Sequence, residues 1–204
     1  MLKFFLFFCV MALAVYARKK LSRRTFWIVA ASVTTITLIS LKICFHNYEK
    51  SFMLSFVPDA LNAQSVSYRN EESWGFGPGG NEAGIRIYPL SDSVALDIAK
   101  RGMDFFRNMP PNKDQQERRW RGDYGNWADT PVASGEHWQP RQGSGRLHIY
   151  DYICRYGFCI DIDPDIVRMA NSIVNSAGSY YAYGRIGLIV VSPEHKLVVY
   201  MYNG

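Results

Sequence analysis

The chain is short of histidine, of cysteine and, at its N-terminal end, of acid. Its 204 residues include four histidines (His46, His137, His148, His195) and four cysteines (Cys9, Cys44, Cys154, Cys159), and residues 1–50 hold one acid, Glu49. No G-x-S-x-G elbow and no H-E-x-x-H pair occurs, which removes the sequence signs of an α/β hydrolase and of a helical zinc peptidase. No C-x2-C knuckle occurs either, and this argues against a structural zinc module. Repeats and low-complexity tracts are also absent, and 48% hydrophobic content with 15% aromatic is enough to build a core.

The shortage of acid is confined to one end. Residues 1–50 carry eight of the 23 basic residues against Glu49 alone, which leaves 15 basic and 17 acidic residues beyond, a net of −2 for the rest of the chain. The overall charge of +5 is therefore no sign of a nucleic-acid partner, and none is expected. The basic residues flank and separate two apolar runs, Leu2–Ala17 and Thr25–Leu41, joined by the seven residues "RKKLSRR" with five positive charges. At 1.5 Å per residue the second run makes a helix of about 26 Å, close to the ~30 Å hydrocarbon thickness of a bilayer.

Residues 1–45 are accordingly expected to be an inner-membrane anchor of one or two transmembrane helices. The basic loop stays in the cytoplasm, and the domain that follows lies on the extracytoplasmic side. A cleaved signal peptide is disfavoured, because the basic cluster follows the first apolar run instead of preceding it. Residues 46–73 read as a juxtamembrane linker and residues 74–204 as an extracytoplasmic domain.

Cys154 and Cys159 fit that compartment. They lie in "YICRYGFCIDI", which alternates on either side of a short turn and reads as a hairpin with the two thiols facing each other. A disulfide is favoured over free thiols or a metal site. Closing so short a loop is expected to stabilise by less than the ~3 kcal/mol of a 15-residue loop.

Within the domain, "GIRIYPL" reads as a strand and "SDSVALDIAKRGMDFFRNM" as a helix of roughly 15 residues stopped by Pro110 and Pro111. "RLHIYDYICRYGFCIDI" reads as two strands and "DPDIVRMANSIVNSAG" as a helix capped by Asp163. "RIGLIVVSPEHKLVVYMYNG" reads as a hairpin. This order predicts an α+β domain of two layers, two helices on a mostly antiparallel sheet.

Three motifs suggest chemistry. Gly75, Gly77 and Gly80 have G-x-G-x-x-G spacing, but a strand follows instead of a helix and Pro78 removes a backbone donor, so a nucleotide site is not expected. Asp161, Asp163 and Asp165 begin like a calcium loop that then lacks its glycine and final glutamate, and helix capping explains them. Glu136, His137, His148 and Asp151 are the residues an envelope hydrolase would use. No cofactor or metal is expected.

The preferred expectation is a non-enzymatic binding protein engaging another protein or an envelope component, an immunity-type inhibitor of a periplasm-acting toxin being one form of it. Its binding surface is expected in Asn112–Gly145, which holds Arg118, Arg119, Trp120, Arg121, Tyr124, Trp127 and Trp138, the residue types that dominate binding hot spots.

Overall fold

The computed structural model describes residues 22–74, 82–140 and 145–204. The first apolar run and the Gly75–Gly80 loop lie outside these residues. The chain divides into two compact units, Met1–Glu49 and Lys50–Gly204.

Helix α1, Arg23–Leu54, begins in the first unit and ends inside the second. Ser22 opens it, its hydroxyl accepting from the amide of Thr25 at 3.3 Å. None of its 32 residues is buried, and Trp27, Ile28, Val33, Ile36, Ile39 and Leu41 all stand exposed. By length and composition this helix is long and apolar enough to cross a membrane.

The second unit is built on a six-stranded antiparallel sheet ordered β1-β2-β6-β5-β4-β3. Its strands are β1 Tyr68–Ser73, β2 Glu82–Pro89, β3 Ala128–Asp129, β4 Tyr180–Tyr183, β5 Leu188–Ser192 and β6 Leu197–Asn203. The C-terminal hairpin pairs β5 with β6 as the β-branched runs predict. The long helical pattern is divided by Gly102, at φ 58°, into α2 Asp92–Arg101 and α3 Met103–Arg107. A single turn, α4 Gln115–Arg118, follows.

Two expectations are corrected. The unit has three layers instead of two, because its central strands are apolar on both faces. Ile85, Leu188, Val190, Val199 and Met201 pack to one side, against Trp138, Leu147 and two further helices, α5 Ile149–Ile153 and α6 Pro164–Asn175. Tyr88, Ile189, Val191, Val198 and Tyr200 pack to the other, against Phe56, Leu61, α2 and α3. Among the described residues five α-helices of this unit thus accompany the sheet where two were expected. The stretch 147–162 is also not a pair of strands, since Ile149, Tyr152 and Ile153 are buried at the i, i+3, i+4 spacing of α5. His148 caps α5, and Asn171 and Asn175 of α6 fasten it by accepting from the amides of Ile149 and Leu147 at 2.9 and 3.1 Å.

The disulfide survives this change of setting. Cys154 caps the end of α5, the chain turns at Gly157, and Cys159 returns to bond it with a Cα–Cα distance of 4.5 Å. Closing so short a loop stabilises by on the order of 2 kcal/mol. Reducing it is expected to lower the melting temperature by a few degrees without unfolding the protein, and loss of the cooperative transition on reduction would refute this. Free thiols at both positions in protein from an oxidising compartment would refute the bond itself.

The stretch read as a linker supplies structure of its own. Phe56, Val57 and Leu61 are buried, and β1 is an edge strand of the sheet.

Candidate functional site

The segment from Asn112 to Trp127 is organised by Asp59. The Asp59 carboxylate pairs with Arg118 at 2.5 Å and accepts from the amide of Lys113 at 2.9 Å, while its own amide donates to the Asn112 side chain at 2.7 Å. Arg118 also donates to the carbonyl of Val57 at 3.4 Å, and Arg121 donates to the Ser55 hydroxyl at 2.8 Å with its guanidinium 5.0 Å from the Phe52 ring. The Tyr124 hydroxyl donates a hydrogen bond to the carbonyl of Phe56 at 2.8 Å. Burial pushes the Tyr124 phenol far above its usual pKa. Trp120 meets Phe56 edge-on at 5.7 Å and Trp127 lies 4.4 Å from Phe106.

These groups fasten residues 52–59 to the sheet. Arg118, Trp120, Arg121, Tyr124 and Trp127 are gathered on one face but turned inward, and Arg119, at φ 58°, is the exposed one. Trp138 is not with them. It is 0% exposed and sits in the cluster on the opposite face of the sheet, 5.3 Å from Tyr152.

A groove of about 570 Å³ lies at one end of the sheet. The end of α5 and the disulfide turn form one wall, with Tyr152, Arg155, Tyr156 and Phe158, and the β4–β5 turn forms the other, with Tyr183, Arg185, Ile186 and Gly187. Gly187 has φ 86° and a Cβ there would stand 2.5 Å from the carbonyl oxygen of Met201, so only glycine lets that turn close over β6. Arg155 is set by donating to the carbonyls of Glu136 and His137, both at 2.6 Å. The His137 ring packs 4.8 Å from Tyr183. Burial, aided by Tyr181 and opposed by Arg155, pushes the Tyr183 phenol up to about 12. Among its described lining residues are two arginines and no acidic side chain. It thus presents two guanidinium groups although the chain beyond residue 50 is net negative.

The hydrolase residues do not converge. His137 is on the groove, His148 accepts from the Tyr150 amide through Nδ1 at 3.3 Å and stacks on the Tyr150 ring, and among the described residues no three His, Cys, Asp or Glu side chains gather where they could hold a metal ion. Asp163 caps α6 by accepting from the amide of Asp165 at 2.8 Å, as the helix reading of that acidic run requires.

Sequence reasoning missed both the groove and a buried charge cluster on β1 and β2. Arg86 is 4% exposed and bonds Glu71 at 2.6 Å; Tyr202 donates to the same carboxylate at 2.8 Å, and Arg69 holds its other oxygen at 2.5 Å. An arginine within the alternating strand "GIRIYPL" was the available signal.

The chain matches no known protein-family model, no curated protein and no solved structure.

Proposed function

We propose that this protein is a membrane-anchored, non-enzymatic binding protein whose Lys50–Gly204 unit works on the extracytoplasmic side of the inner membrane. There it engages another protein or an envelope component. The observation that carries the reading is the Cys154–Cys159 disulfide in a unit that follows an apolar helix of spanning length with basic residues at its start. A disulfide persists in an oxidising compartment. Arg18, Lys19, Lys20, Arg23 and Arg24 resist translocation and keep the other end of the helix in the cytoplasm.

Binding is favoured over hydrolysis because one end of the sheet carries a groove of rings and arginines, whereas among the described residues no three His, Cys, Asp or Glu side chains gather where they could hold a metal ion. Alkaline phosphatase fused after Gly204 is expected to be active and a fluorescent protein that folds only in the cytoplasm to be dark there. The opposite pair of results would overturn the localisation and the partner class together.

A further inference from the structure

We propose that the groove between the disulfide turn and the β4–β5 turn binds a carboxylate-bearing sugar of the cell envelope. The proposal rests on reading the unit as an extracytoplasmic binding module and gives that module its ligand.

Three independent features point to this chemistry. The first is charge: Arg155 and Arg185 line the groove with no acidic side chain among the described lining residues. Arg185 is exposed and makes no hydrogen bond or ion pair among the described residues. A planar guanidinium open to a groove is suited to a carboxylate, which it holds by two parallel hydrogen bonds.

The second is an available polar group. Tyr152 lines the groove, and its hydroxyl makes no hydrogen bond among the described residues, which leaves it open to a ligand's polar atom.

The third is the set of ring faces. Tyr156, 62% exposed, stands on the disulfide-held turn and lines the groove together with Tyr183 and His137, whose rings are tilted 34° to each other at 4.8 Å. The face of a pyranose lies flat on such a ring with its axial C–H bonds pointing into it, its hydroxyls bond phenols, and its carboxylate pairs with arginine. The volume of about 570 Å³ is in the range of small-molecule sites and suits one or two sugar rings. An acidic peptide would answer the arginines, but its extended backbone offers neither a flat C–H face nor a cluster of hydroxyls to the phenols.

The test is calorimetric titration of the full chain in neutral detergent micelles. The probe is the disaccharide of N-acetylglucosamine and N-acetylmuramic acid, which carries one carboxylate; the neutral N-acetylglucosamine dimer and a six-residue glutamate peptide are the comparators. Saturable binding of the acidic disaccharide is expected, weakened about tenfold or more by Arg185→Glu and also by Tyr156→Ala, both exposed positions whose change spares the core. Co-sedimentation with insoluble wall glycan separates a polymer ligand from a free sugar acid.

Equal binding of the neutral dimer, tighter binding of the peptide, or no saturable heat with the acidic disaccharide would each overturn the proposal. So would unchanged affinity in both variants. The titration is independent of which side of the membrane the unit occupies, so its failure leaves the reporter result standing, and the reverse.

Discussion

Replacing Glu71 with alanine is expected to destabilise the protein by about 3–5 kcal/mol, the cost of leaving a buried charge without its partner. Arg86 is the charge concerned. Its guanidinium lies 4.7 Å from the Phe56 ring and 5.3 Å from the Tyr202 ring, with little water to replace the lost carboxylate. Gly84 makes this arrangement feasible: it sits opposite Tyr202 in the β2–β6 ladder, and a Cβ there would come within 2.5 Å of the Tyr202 ring. Arg86→Met in the Glu71→Ala background is expected to restore part of the stability, because an apolar side chain of similar length tolerates the burial. A loss below about 1 kcal/mol in Glu71→Ala, read by denaturant unfolding, would show that Arg86 finds another partner.

The same cluster gives the fold an acid limit. Burial works to raise the Glu71 pKa, but the nearby Arg86 charge and hydrogen bonds from Tyr202, Arg86 and Arg69 outweigh it, so the carboxyl titrates below its usual range. A carboxyl whose pKa is lower folded than unfolded contributes stability that is fully present above the unfolded value. That contribution is lost as pH falls through the folded one. Stability lost between pH 5 and pH 3 is therefore expected to be smaller in Glu71→Ala than in the parent protein.

Where one periodicity dominated, the sequence was readable. The strands of the C-terminal hairpin and helix α6, with Asp163 and Pro164 at its start, came out as the residues imply. The region 147–162 failed because Leu147, Ile149, Tyr152 and Ile153 satisfy an alternating and a helical spacing nearly equally, and only docking against α6 decides between them. β1 was hidden because "YRNEES" has no apolar face: its side chains at the sheet edge are polar, and its glutamate is there to serve Arg86. The third layer was foreshadowed in "LIVV" of β5. Such a run is apolar on both sides and has to be covered on both. The groove was beyond sequence reading, since it joins residues near 137, 155, 185 and 203 that only the folded sheet brings together.

The tryptophan segment yields the other large effect. Trp138→Ala is expected to cost about 3–5 kcal/mol, because the indole is 0% exposed and packs between the sheet and Tyr152, where a cavity would replace it. In a unit of this size that corresponds to a melting temperature lower by roughly 10–15 °C. Arg119→Ala is the contrasting change. Its side chain is exposed, its carbonyl and not its guanidinium takes the bond from Gln115, and its removal is expected to stay within about 0.5 kcal/mol. Trp120→Ala falls between, since the ring is half-buried against Phe56. If instead Trp138→Ala melts like the parent while both exposed and buried changes abolish partner capture, the segment is a recognition surface and its inward packing is not what holds the fold.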